Sequence, residues 1–179
     1  MIEIIAVIFS LWSVYLAIKL NIWNWLVGII GIVAYMVVFI ENHLYAQTIV
    51  QIIFVGQSIY GWLYWKKNMG PTVVYMTANV WFDLLVVLGL TIILAIFLEQ
   101  YTNDPQPFLD TLTTLLSILA TLYMTKKYSV SWVIWCLVDI LFVYMFLEQK
   151  MYWSAGLYIL FTILAINGLI QWTKNTSTD

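Results

Sequence analysis

S-W-V-I-W-C-L-V-D-I-L-F-V-Y-M-F-L-E-Q-K-M-Y, from Ser131 to Tyr152, is long and apolar enough to cross a bilayer, yet it carries an acid, Asp139, near its middle. At about 1.5 Å per residue, Asp139 falls near the membrane midplane. A carboxyl group at that depth costs at least ~2.5 kcal/mol on insertion scales, so it calls for a partner or a role. Counting about 100° per residue, Trp132, Trp135 and Asp139 share one helix face. Two flat rings beside a carboxylate suit a flat, polar, cationic ligand.

The rest of the chain is of the same kind. Its 179 residues are 64% apolar and 9% charged, with a mean hydropathy of +0.94. Soluble domains average about 25% charged residues. This composition predicts an all-α integral membrane protein. Cys136 is the sole cysteine, which excludes an intrachain disulfide. Nothing resembles a basic nucleic-acid patch, so no nucleic-acid partner is expected. The start, M-I-E-I-I-A-V, has neither a positive region nor a cleavage pattern, and it reads as a retained helix rather than a signal peptide.

Seven apolar segments run near 2–20, 25–42, 44–65, 79–98, 107–125, 129–147 and 152–172. Each approaches the length that a ~30 Å hydrocarbon core requires, which predicts seven transmembrane helices. K-K-N-M-G-P and E-Q-Y-T-N-D-P-Q-P break the longest connections. All seven basic residues are lysines. Lys19, Lys66, Lys67, Lys126, Lys127 and Lys174 fall on one side, and only Lys150 on the other. That other side holds Glu3, Glu41, Glu99, Asp104, Asp110 and Glu148. The positive-inside rule puts the lysine-rich side in the cytoplasm, with the N-terminus outside and the C-terminus inside.

A shift of 107 residues superimposes the chain on itself. Trp25 meets Trp132, Phe39 meets Phe146, Glu41 meets Glu148, and Tyr45 meets Tyr152. Further on, Phe54 meets Phe161, Gly61 meets Gly168, Trp65 meets Trp172, and Lys67 meets Lys174. Segments one and five align more weakly, through Glu3/Asp110, Ser10/Ser117 and Lys19/Lys126. Matching lysines lie on the same side, so the two copies run parallel. The division expected is a three-helix bundle over 1–67, a linker with the fourth helix over 68–105, a second bundle over 106–174 and a tail over 175–179. Parallel repeats about an axis along the membrane normal are a transporter architecture, with the substrate near midplane between the halves.

Polar groups at depth supply further candidates. Segment five carries Asp110, Thr113, Thr114, Ser117 and Thr121 on one face. Segment three places Gln47, Gln51, Phe54 and Ser58 on one face, and the matching face of segment seven reads Ser154, Tyr158, Phe161 and Ala165. Gln57 and Asn167 add amides. Such groups often only bond across helix contacts, at about 0.6 kcal/mol each. Trp25, Trp65, Trp172 and Trp132 read as interface anchors, while Trp135, a turn deeper, is the better ligand candidate. His43 stands alone in a short turn, so no metal site is expected. Gly28 and Gly31 allow close helix packing. No catalytic set, phosphate loop or cofactor motif is present, which argues against an enzyme.

Three stretches resemble the PnuC family of vitamin transporters. Q-I-I-F-V-G-Q-S-I-Y-G-W-L-Y-W (Gln51–Trp65) is similar to its Q-x-x-F-x5-Y-G-W-x-x-W pattern. L-D-T-L-T-T-L-L-S-I-L-A-T (Leu109–Thr121) and W-V-I-W-C-L-V-D (Trp132–Asp139) are similar to its D-A-L-T-T-x-L-S and W-x-x-W-x-x-x-D segments. The resemblance implies a SWEET-like arrangement of three, one and three helices. It also implies uptake of nicotinamide riboside, or of thiamine or riboflavin, across the bacterial inner membrane. Facilitated diffusion, trapping by a cytoplasmic kinase and a homotrimer are implied as well. By matching position, Gln51, Thr114, Ser117, Trp135 and Asp139 are the implied substrate residues. Gln57 and Asn167 stand where the family is expected to be apolar, and Tyr158 joins them from the polar face of segment seven. A third reading is a vitamin-binding subunit of an energy-coupling importer, echoed faintly by Ala6-x-x-x-Ser10 and opposed by the duplication.

Overall fold

The computed structural model describes residues 2–41, 45–68, 70, 73, 79–102 and 105–174. His43 and Asp104 lie outside the described residues. Seven helices follow in order: α1 Ile2–Ile18, α2 Trp23–Glu41, α3 Tyr45–Lys67, α4 Val80–Tyr101, α5 Pro107–Thr125, α6 Val130–Glu148 and α7 Tyr152–Lys174. By length and composition α2, α4, α5, α6 and α7 suit a membrane span, whereas α1 is shorter at 17 residues. The more polar α3 carries Gln47, Gln51, Gln57, Lys66 and Lys67.

Helix ends follow from local chemistry. Pro107 opens α5, where a missing N–H costs nothing. The C-termini of α1, α5 and α6 share one closing motif, in which a non-glycine residue turns left-handed: Leu20 at φ 52°, Lys127 at φ 58° and Lys150 at φ 59°. Each donates to the carbonyl three residues back. The next residue donates five back: Asn21 to Leu16 at 3.0 Å, Tyr128 to Tyr123 at 3.0 Å and Met151 to Phe146 at 2.8 Å. These are the paired bonds that satisfy orphan carbonyls at a helix end. Leu20 and Lys127 are 107 residues apart, so the repeat extends to the hydrogen-bonding of its turns.

Six helices close into a ring: α1 packs on α2, α2 on α3, α3 on α5 past α4, α5 on α6, α6 on α7, and α7 back on α1. The helix α4 stands outside the ring against α5. There the Tyr123 hydroxyl donates to Asp83 Oδ2. With neighbours on three sides, α5 is the most buried helix. The outer faces carry exposed Trp12, Ile52, Leu63, Leu85 and Ile93, as lipid-facing helices do.

Four tryptophans depart from the interface role expected of them. Trp25, Trp65, Trp132 and Trp172 are only 0–4% exposed and meet at the lysine-rich end of the ring. Trp25 stands edge-on to Trp65 at 5.5 Å, and Trp132 edge-on to Trp172 at 5.5 Å. Trp65 and Trp172 meet across the two halves at 6.3 Å. The indole N–H of Trp65 donates to Thr125 O at 2.8 Å, and that of Trp172 to Ala17 O at 3.2 Å. Each half thus reaches into the other. An anchor needs its ring at the lipid surface, whereas glycines here draw the rings inward. A Cβ at Gly61 would stand 2.6 Å from the Trp25 ring, and one at Gly168 2.6 Å from the Trp132 ring.

Candidate functional site

Inside the ring, next to the tryptophan cluster, lies a cavity of about 270 Å³, at the lower edge of the range for small-molecule sites. On α6 it is lined by Trp132, Trp135 and Asp139, the face that the 100° count puts together. The corresponding face of α2 supplies Trp25, Gly28, Ile32 and Tyr35. Phe54 and Ser58 come from α3, and Tyr158, Phe161 and Ala165 from α7. Ser10, Ser13, Asn24, Val14 and Ala17 from the α1–α2 side, with Thr121 and Met124 from α5, complete it.

The Asp139 side chain is buried, at 4% exposure, and makes no hydrogen bond or salt bridge with a described residue. No lysine lines the cavity. A buried acid in a ring-walled cavity with no lysine in its lining is suited to meet a cationic group. Tyr158 packs against Phe142 at 4.7 Å and Phe146 at 5.3 Å, closing the side away from the tryptophans.

Of the residues proposed from the sequence, Trp135, Asp139 and Tyr158 meet at this cavity, and five stand elsewhere. Ser117 is buried and donates to Thr113 O at 2.7 Å. Its stripe-mates do likewise: Thr113 to Leu109 O, Thr121 to Ser117 O and Thr125 to Thr121 O. The stripe on α5 therefore spends its protons on its own backbone, and only Thr121 reaches the cavity. Thr114 is half-buried outside the lining, as is Gln51. The Gln57 amide donates to Ile118 O at 3.0 Å, tying α3 to α5. Asn167 is exposed on the outer face of α7, where it accepts from Gln171 Nε2 at 3.1 Å.

Phe54 and Ser58, on the face of segment three picked out from the sequence, line the cavity, and Ser10, Ser13, Asn24 and Tyr35 line it without having been proposed for it. The internal repeat held the signal that locates part of this set. Seven pairs of lining residues are related by the shift of 107: Val14/Thr121, Ala17/Met124, Trp25/Trp132, Gly28/Trp135, Ile32/Asp139, Phe54/Phe161 and Ser58/Ala165. Carrying the α6 face back by 107 picks out the α2 face.

A doubled three-helix unit closing around a buried, aromatic-walled site at mid-helix defines a membrane carrier. The family model described as "Nicotinamide mononucleotide transporter" matches residues 1–174, and the chain belongs to that family. Relatives include the nicotinamide riboside transporter PnuC of Escherichia coli strain K12, 26% identical over 97% of this chain and 85% of that protein. The PnuC of Haemophilus influenzae is also 26% identical, over 90% of this chain and 74% of that protein. A crystal structure of the vitamin B3 transporter PnuC superimposes with a TM-score of 0.76, at 22% identity, covering 97% of this chain and 81% of that one. The fold is thus that of a multi-pass membrane transporter.

Proposed function

We propose that this protein carries nicotinamide riboside across the bacterial inner membrane by facilitated diffusion, with the lysine-rich end in the cytoplasm. The observation that carries the reading is the unpaired Asp139 carboxylate in a cavity walled by Trp135, Trp132, Phe54 and Phe161. A pyridinium ring is flat and cationic. It gains from the ring faces and from the buried anion at once, each desolvated cation–π contact contributing about 2 kcal/mol.

The same observation favours the riboside over the mononucleotide, the two ligands suggested by the relatives' names and the family description. A mononucleotide adds a phosphate of about two negative charges at neutral pH. With no lysine in the lining and a carboxylate already there, that phosphate is repelled and unsatisfied. The riboside lacks it, and phosphorylation by a cytoplasmic kinase would then trap the product. Thiamine is the second reading, because it too carries a flat cationic ring.

Calorimetric titration of the purified protein with nicotinamide riboside, nicotinamide mononucleotide, thiamine and riboflavin tests this directly. The riboside should bind tightest, and Asp139→Asn should weaken it by at least about tenfold. Mononucleotide binding as tight as riboside would sink the charge argument, and thiamine binding tightest would replace the substrate. Reporter tags at both termini test the orientation, with the C-terminal tag expected in the cytoplasm.

A further inference from the structure

Two seams join the halves of the ring, α3 against α5 and α7 against α1, and the shift of 107 carries one onto the other. Repeat symmetry alone would make them equally strong, but they differ in what crosses them. Trp65 on α3 and Trp172 on α7 each give an indole bond across, to Thr125 O and to Ala17 O. The α3–α5 seam has further ties. Near the middle of α3, the Gln57 amide donates to Ile118 O at 3.0 Å. Past the helix end, the Lys127 ammonium donates to Asn68 O at 2.9 Å and Gly70 O at 2.6 Å, and it stands 5.2 Å from the Trp65 ring centre. At the other seam the counterpart of Gln57 is Leu164, and that of Lys127 is Leu20. Neither leucine side chain can donate a hydrogen bond.

We infer that the α3–α5 seam is a fixed pivot and that the α1–α7 seam is the one that parts to open the cavity, so that the halves swing about one edge instead of rocking symmetrically. The inference rests on the reading of the cavity as the transport site. Lipid gives helices no hydrophobic reason to stay together, so packing and interhelical hydrogen bonds decide which contact yields first. A bond donated by an ammonium is stronger than one between neutral groups. The ties from Gln57, Trp65 and Lys127 run in a row from mid-helix to the lysine-rich end, the first two eight residues apart, or about 12 Å along α3. A row of that length resists both separation and twisting. The α1–α7 seam also gives the better access. On α1 four residues line the cavity, from Ser10 to Ala17, whereas α5 lends it Thr121 and Met124. Moving α1 away from α7 therefore uncovers more of the space than moving α5 away from α3.

A need for stability alone does not account for this arrangement, because ties that merely close the ring would serve at either seam. The asymmetry also runs against the rest of the repeat. The left-handed turns at Leu20 and Lys127, the paired tryptophans and the glycines beneath them are kept in both copies. The polar side chains that tie α3 to α5 are instead leucines in the other copy. Leucine keeps the packing and drops the bond, which leaves α1 and α7 in contact yet able to separate.

Paired spin labels on exposed lysines test this in the full-length protein in lipid vesicles, in a Cys136→Ala background. Lys19→Cys with Lys174→Cys reports on the α1–α7 seam, and the repeat supplies the matched pair at the α3–α5 seam, Lys126→Cys with Lys67→Cys. The 19–174 distance distribution should be at least about twice as wide as the 67–126 one, or split in two. Saturating nicotinamide riboside should redistribute the first and leave the second unchanged. Gln57→Leu with Lys127→Leu puts the counterpart leucines into the α3–α5 seam, and the 67–126 distribution should then widen to match. Should that pair fail to fold in a thermal melt, Gln57→Leu alone should widen it part of the way. Equal widths at the two seams, or a riboside response at 67–126, overturn the pivot, as does a 67–126 width that the leucines leave unchanged. Uptake of labelled riboside by vesicles holding the unlabelled protein tests the transport reading separately. No uptake there sinks that reading, while the two widths still decide which seam parts.

Discussion

Lys127 and Leu20 occupy equivalent turns, and their difference shows what a single side chain adds. Both are left-handed, a backbone that costs an L residue roughly 1–2 kcal/mol. Leu20 packs into the tryptophan cluster. Lys127 instead sends its ammonium over the Trp65 ring at 5.2 Å and donates to Asn68 O at 2.9 Å and Gly70 O at 2.6 Å. It fastens the end of α3 to the second half. Lys127→Met should lower stability by about 1–3 kcal/mol in a thermal melt in detergent. Burial pushes this ammonium below the usual lysine value. The folded protein therefore releases the proton at lower pH than the unfolded chain does. The desolvation cost is fully present below the folded pKa and is relieved as pH rises through it, so wild-type stability should climb across the alkaline range toward 10.5. The Met variant should lack that climb. Lys150, exposed and also left-handed, has no such bonds among the described residues, and Lys150→Gly should raise stability by about 1 kcal/mol.

At the scale of elements, glycine decides where helices meet. Gly61 on α3 and Gly168 on α7 each lie under a tryptophan ring of the preceding helix, at the same 2.6 Å. Gly61→Ala and Gly168→Ala must each displace an indole in a closed cluster, at a cost of about 1–3 kcal/mol. The two variants should behave alike in a melt, because the repeat makes their surroundings alike. Gly56, Gly89 and Gly156 have nothing within 4 Å of an added Cβ. Alanine there should be neutral or stabilising by up to about 1 kcal/mol, since it favours the helix. Stability falling equally at all five positions would mean that close packing at Gly61 and Gly168 is not the cause.

For the whole molecule, the tryptophan cluster holds the two halves together at the lysine-rich end. In lipid there is no hydrophobic drive between helices, so packing and interhelical hydrogen bonds hold the ring closed. The indole bonds from Trp65 to Thr125 O and from Trp172 to Ala17 O are such links, one from each half. Replacing both tryptophans by Phe keeps the rings and removes the bonds. The double variant should melt earlier, and its half-buried thiol, Cys136, should react faster with a maleimide added on the lysine-rich side of vesicles. Unchanged melting and labelling would show that the halves are held by something else.

The seven helices, the doubled unit and the Trp135–Asp139 face follow from hydropathy, from a repeat of 107 and from helix periodicity. All three are properties of the chain read along its length. The same periodicity put the α5 hydroxyls and Asn167 on plausible faces. Their fates were decided by what each face meets: α5 hydroxyls turn back to carbonyls four residues earlier, and Asn167 points away from the ring. Likewise, nothing local distinguishes a tryptophan at a lipid surface from one seated on a glycine 36 residues away. Which residues line the cavity depends on helices packing across the ring. That information resides in contacts between distant segments, and only the folded chain brings them together.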